Sequence, residues 1–367
     1  MPNMKKWWMT ACAVLVGAAL ISGCGGDKKA EESKADDKMK VAFVYVSPIG
    51  DAGYTMAHDD GRKYVADKMP GVETTFLESV PEGADAERVI TQLAEQGNKV
   101  IFTTSFGYMD PTINVAQKYP DTVFMHASGF KTADNVGNYF GRMYQARYLT
   151  GIVAGKATKT DVVGFVAPYS LPEVARAVNA FTLGAQSVNP NVKVKVIWTN
   201  TWYDPAKEKQ AALSLIDAGA DVIAQHQNTP SAQQAAEERG VMGIGYNTDM
   251  SKMAPNASLT SAIWNWGPYY AEVVESVQKG TWKSGSYWGG MEDGVIDLAP
   301  LGSQVADDTK KQVEDAKGKL VAGEWDVFTG PIKDQSGAVK VEAGQKLDDE
   351  ALLSMDWFVE GVEGNLN

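Results

Sequence analysis

The sequence predicts an α/β protein made of two parallel sheets strung in series. Three observations predict it. From residue 40 onward, short β-branched or aromatic runs alternate with longer segments of helical period. The whole pattern restarts after a helix at about 144–158. No Pro/Gly/Ser-rich linker separates the two rounds, so the halves are expected to be lobes joined by short hinges. Repeated strand–helix–strand order calls for a parallel sheet with helices on both faces.

In the first round, KVAFVYV (40–46) reads as a strand, 54–69 as a helix and TTFL (74–77) as a strand. ADAERVITQLAEQG (84–97) places Ala86, Val89, Ile90, Leu93 and Ala94 on one face and ends in Gly97, as an amphipathic helix with a C-terminal glycine should. KVIFTT (99–104), a helix near 110–118, TVFMHA (122–127) and VGNYF (136–140) complete the round. The second has strands at 161–167, 192–198, 221–226, 241–246 and 258–263, with helices at about 172–187, 205–218 and 230–239. Asp204 before Pro205 reads as a helix N-cap with Pro at N1. A helix at 268–279, a Trp- and Gly-rich stretch, a helix at 303–322 and a hairpin-like tail follow.

A chain of 367 residues can bury two full-sized cores, and its net charge of −12 makes a phosphate backbone a poor partner. The N-terminus reads as an export signal: Lys5 and Lys6, then an apolar run over 10–21 that is too short to span a membrane comfortably, then Ile21-Ser22-Gly23-Cys24. That ending resembles a bacterial lipobox, so 1–23 is expected to be removed and Cys24 lipidated. Residues 24–38 are charged and poor in large apolar side chains, as a disordered tether would be. With Cys12 in the removed segment, no disulfide is left to hold the fold.

In open parallel sheets, ligands bind beyond the carboxyl ends of the strands. The segments there are 47–54, 104–110, 127–130, 167–170, 199–205, 225–230 and 246–250, and nearly all combine an aromatic with a hydroxyl, amide or carboxylate. Flat apolar faces with a few donors and acceptors suit a planar heteroaromatic ligand. Phosphate-loop, dinucleotide, nucleophile-elbow and HExxH signatures are missing, and GIVAGKA (151–157) lacks the P-loop spacing and hydroxyl. His58, His126 and His226 lie in separate segments without metal-ligand spacing, so no metal or other cofactor is expected. The run His58-Asp59-Asp60 reads as a solvated helix face.

VAFVYVSPIGDAGYTMAHDDGR (41–62), RMYQARYLTGIVAGKATKT (142–160), VGFVAP (163–168), TWYDPAKEKQAALSLIDAGADVIAQH (201–226) and GIGYNTDM (243–250), with the lipobox, resemble the basic membrane protein family over roughly residues 40–330. The resemblance implies the type I periplasmic-binding-protein fold, two Rossmann-like lobes joined by three hinge crossovers. It implies lobe 1 from 39–141 and 264–290, and lobe 2 from 142–263 and 291–367. Such proteins are lipid-anchored at the cell envelope and deliver purines or nucleosides to an ABC permease, without being enzymes; a monomer is expected.

Carried over residue by residue, the resemblance implies a base stacked between Tyr54 and Trp202, with Trp198 the competitor, and Asp249 as the acidic residue of the site. Ser105, Phe106, His226 and Asn228 are candidates for edge contacts. The family's nucleoside binders carry a Lys in a TSxxKxxD-like run, where this chain reads TSAIWNWGPYY (260–270) with Trp264 near the Lys position. An indole there is expected to exclude a sugar and favour a free base such as adenine. The rival readings are a purine nucleoside binder, a surface sensor with the same cleft, and a hydrolase using Asp204, His226 and Asp249.

Overall fold

The computed structural model describes residues 38–50 and 52–366; the export signal, Cys24 and the tether lie outside the described residues. In chain order the elements are β1 (Met39–Val44), α1 (Tyr54–Lys68), β2 (Val72–Leu77), α2 (Ala84–Glu95), β3 (Val100–Thr103), α3 (Met109–Ala116), β4 (Val123–Ala127) and β5 (Val136–Gly141). Then come α4 (Tyr144–Ala157), β6 (Val162–Ala167), α5 (Pro172–Val188), β7 (Lys193–Trp198), α6 (Pro205–Asp217), β8 (Val222–Gln225), α7 (Ser231–Arg239), β9 (Met242–Asn247) and β10 (Ser258–Trp264). The chain ends with α8 (Gly267–Gln278), β11 (Ser286–Gly289), β12 (Ile296–Leu298), α9 (Asp307–Val321), β13 (Ile332–Lys333), β14 (Val339–Val341), α10 (Asp349–Leu353) and β15 (Val362–Glu363). The expected strands and helices are present within a few residues of their predicted ends.

The first sheet runs β11-β5-β4-β3-β1-β2 and the second β12-β10-β9-β8-β6-β7-β15. Within these two sheets every pairing is parallel except β10 with β12. Each round therefore has its second strand outside its first, and the strand order reverses between β1 and β3 and between β6 and β8. Loops leaving those neighbouring strands splay apart and open a crevice, which is why ligand sites form there. The chain changes sheet three times, after β5, β10 and β11. Trp264 still pairs with Ile296 in the second sheet, one residue beyond the expected end, at 263, of that lobe 2 segment.

The strands are nearly continuous apolar runs because helices cover both faces. Val41, Phe43, Val100 and Phe102 of the first sheet and Val163, Phe165, Val222 and Ile244 of the second are fully buried. One expectation fails here: His58 and Asp59 are buried, not solvated. The face of α1 that carries them packs on α8, where the His58 ring stacks on Trp266 with centroids 5.5 Å apart. Asp59 is held by Arg62 at 2.6 Å and Lys63 at 2.9 Å. The period of α1 was too weakly apolar to show which side faced the core.

Candidate functional site

Four loops leaving strand ends converge on one cavity between the sheets, with about 380 Å³ of unfilled space, open solvent included. Tyr54 starts α1 after β1, Ser105 and Phe106 follow β3, Trp202 follows β7, and His226 and Asn228 follow β8; all six line it. Val46, Ser128, Phe140, Glu173 and Tyr246 complete the wall. Among the described residues, three aromatic rings besides the Tyr54–Trp202 pair, and one carboxylate, give it the mixture expected for a flat polar-edged ligand.

Tyr54 is half-buried and its ring meets that of His58, one turn on, edge to face at 4.4 Å. His58 is fully buried, bonds the Tyr270 hydroxyl through Nδ1, and is pushed down to about 3 by burial, so it stays neutral beneath Tyr54. Burial also pushes the Tyr54 hydroxyl well above the ordinary tyrosine range.

Trp202 sits in a loop pinned at both ends. Asp204 caps α6 by accepting from the Lys207 amide at 3.1 Å, as the Asp-Pro pair predicted. Glu208 accepts from the Asp204 amide at 3.1 Å and from the Thr229 hydroxyl. The Asn228 amide donates to the Trp202 carbonyl at 3.2 Å, and Gln227 Nε2 donates to Thr199 Oγ1 at 2.6 Å. The two loops that carry Trp202 and Asn228 are thus one hydrogen-bonded unit. Buried Glu208 lies under it, with its carboxyl raised from 4.5 to about 7, chiefly by desolvation. The Trp202 ring rests edge-on against Tyr169 at 5.4 Å.

Three expectations do not match the placement of the side chains. Trp198, the alternative stacker, donates its Nε1 to the Asn365 carbonyl at 2.9 Å and lies parallel to Phe358 under the C-terminal tail. Asp249 is exposed and turned to the Ser251 amide at 2.9 Å, an Asx turn, and is not part of the wall. Trp264 stands behind the wall: its ring packs on Phe140 at 5.0 Å and on Trp266 at 4.8 Å, and its Nε1 donates to Asn247 Oδ1 at 3.0 Å. Asn247, buried with φ of 72°, in turn donates to the Gln227 carbonyl at 3.2 Å. Trp264 therefore supports the loop bearing His226 and Asn228 rather than filling the cavity. With Asp204 spent as a cap and Asp249 at the surface, the three groups of the hydrolase reading do not meet.

Sequence reasoning missed Glu173, Phe140 and Tyr246. Ser128 and Tyr246 lay in segments already singled out, but Glu173 is the second residue of α5 and looked like an ordinary acidic helix start. Among the described residues no group of three or more His, Cys, Asp or Glu side chains is arranged to hold a metal ion, and no helix is long and apolar enough to cross a membrane.

Residues 38–328 match the family model described as ABC transporter substrate-binding protein, PnrA-like (Bmp). A purine-binding protein of Brucella abortus (strain 2308) is 49% identical over 333 residues, 90% of this chain and 95% of its own length. An ABC transporter nucleoside-binding protein of Lactococcus lactis subsp. cremoris is 23% identical over 90% of this chain and 99% of its own. Among solved structures, a solute-binding protein of an Aeropyrum pernix K1 ABC transporter system aligns with a TM-score of 0.69 at 20% identity, covering 86% of this chain and 95% of that one. That last likeness concerns the fold, which is the two-lobed type I periplasmic-binding-protein architecture.

Proposed function

Because the chain belongs to the PnrA-like, or Bmp, family of ABC transporter substrate-binding proteins, we propose that its cleft captures a purine, a free base such as adenine, and delivers it to a membrane permease. The family is one of ABC transporter substrate-binding proteins, not of enzymes. The observation that carries the reading is the convergence of Tyr54 and Trp202, from different sheets, on one cavity edged by Ser105, Glu173, His226 and Asn228. Aromatic faces supply stacking of about 1–3 kcal/mol per base, and the polar rim supplies discrimination. Among the described residues no lysine stands in that wall, and Glu173 is its one acidic side chain, which supports a base over a nucleoside. The Brucella relative is named for purine binding, which supports the ligand class.

A nucleoside is the second reading, favoured by one observation. The cavity shares Phe106, Ser128, Phe140 and Glu173 with an adjoining open groove, about 1030 Å³ with open solvent counted in, that also reaches Asn138, Arg176 and Ser286. A sugar would have room and partners there. Calorimetry with adenine, hypoxanthine, guanine and their nucleosides, on protein unfolded and refolded to strip carried-over ligand, tests both. Tight binding of a base over its nucleoside upholds the first reading, the reverse order upholds the second, and no purine binding ends both. Export, lipidation at Cys24 and a monomeric state complete the proposal, and intact mass of the membrane-extracted protein tests the lipid.

A further inference from the structure

Arg147, on α4, is fully buried, yet no carboxylate pairs with it among the described residues. Its guanidinium carbon lies 3.8 Å from the centroid of the Tyr246 ring and 5.5 Å from that of Phe165. Among the described residues Nε and Nη1 have no hydrogen-bond partner, while Nη2 lies 3.4 Å from His226 Nδ1 and the Tyr246 side chain is the other polar neighbour. A buried guanidinium without a counter-charge is costly, and apolar packing alone would be served better by Met or Leu.

The contact has a directional consequence. Arginine carries only donors and stays protonated, so the nitrogen facing it must accept. His226 Nδ1 is then bare and the ring proton sits on Nε2, which faces the cavity. His226 Nε2 is 3.8 Å from Glu173 Oε1, too far for a hydrogen bond, and both side chains line the cavity. A donor and an acceptor therefore stand side by side without being spent on one another. The edge that satisfies both is planar, with an acceptor next to a donor: a ring nitrogen beside an exocyclic amine, or a carbonyl beside a ring N–H. Freely rotating sugar hydroxyls would not need a fixed tautomer.

Resting on the purine reading above, we propose that Arg147 is a positioning residue that locks His226 as a neutral Nε2–H donor, and that His226 and Glu173 together read the acceptor–donor edge of the base. The groups facing His226 are Arg147 on α4, Glu173 and Arg176 on α5, and Tyr246 of β9, whose ring centroid is 4.4 Å away. Burial, with the Arg147 and Arg176 charges, pushes the His226 imidazole down to about 4 against the opposing pull of Glu173.

Nitrogen NMR of the ligand-free, 15N-histidine-labelled protein tests the lock without any purine, with the His226 signals identified by their loss in His226→Gln. The expected pattern is a bare Nδ1 and a protonated Nε2, unchanged from pH 7.5 to 5.5; a protonated Nδ1 overturns the proposal. In Arg147→Met, the His226 titration should rise by at least about one pH unit, since one repelling charge is gone and Glu173 remains; an unmoved titration overturns the lock. Should that variant not fold, the wild-type spectrum decides alone. His226→Gln and His226→Asn then test the edge by calorimetry with adenine. Gln can place an amide donor where Nε2–H stands and Asn cannot, so Asn should weaken binding by about tenfold more than Gln; equal losses overturn the edge assignment. Wild-type protein that binds no purine refutes the ligand reading, and the edge assignment with it, while the spectrum still judges the lock separately.

Discussion

Gly53 and Asn228, one before α1 and the other in the loop after β8, meet so closely that a Cβ on Gly53 would overlap the carbonyl oxygen of Asn228. Gly53 has φ of 114°, open to glycine and strained for other residues, and its amide donates to Thr248 Oγ1 at 3.0 Å. The two lobes touch here, next to Tyr54 and within the loop that carries His226. Gly53→Ala should leave the free protein folded by circular dichroism, because lobes held slightly apart escape the clash. Adenine affinity should fall by about tenfold or more, and compaction on adding adenine should shrink in X-ray scattering. Wild-type compaction and affinity would show that the contact does not govern closure.

Stacking makes a simpler demand. Trp202→Ala and Tyr54→Ala should each weaken adenine binding by roughly tenfold or more, the stacking energy of one face. Trp198→Ala, whose ring lies under the tail against Phe358, should lower stability and leave affinity alone. Calorimetry and urea unfolding separate the two outcomes.

Glu208 predicts an unusual pH dependence. Its carboxyl is raised from 4.5 to about 7 in the fold, so the protonated form is the one the fold favours. The contribution is complete below pH 4.5 and is lost as pH rises through 7, on the order of 3 kcal/mol across that window. Glu208→Gln keeps one acceptor for the Asp204 amide and turns an amide N–H toward Thr229 Oγ1, without the titration. Urea midpoints should therefore fall more steeply with pH in the wild type than in the variant between pH 5 and 7.5. Parallel profiles would mean that the carboxylate stays ionised throughout.

Trp264 separates support from exclusion. Trp264→Phe removes the donor to Asn247 Oδ1 and leaves a buried acceptor unpaired, which should cost about 1–3 kcal/mol in urea unfolding. Because the ring stands behind Phe140, the ratio of adenosine to adenine affinity should stay within about threefold of wild type. A large gain for adenosine alone would restore the view that the indole occupies sugar space.

Much of the site was legible in the sequence for a local reason. Residues that follow a strand in a doubly wound sheet lie at its carboxyl edge, so position in the pattern singled out the loops, and the family resemblance picked Tyr54, Ser105, Phe106, Trp202, His226 and Asn228 within them. The misses have local reasons too. Asp249 was carried over from the family resemblance as the acidic residue of the site, but its Asx turn with Ser251 satisfies it where it stands. Phe140 ends β5 beside a lobe crossing, and no period marks such a residue as lining rather than core.

What the sequence determined alone was the order of elements, the two-sheet architecture, the capped start of α6 and the set of loops from which the site is drawn. These follow from periodicity, propensity and connection rules that act over a few residues. Only the tertiary structure decided which side chains in those loops face one another: that Trp264 supports Asn247, that Glu208 ties the Trp202 loop to Thr229, and that Arg147 is buried against His226. Those contacts join residues 17 to 79 positions apart, and they depend on how helices and strand ends pack, which no local pattern encodes.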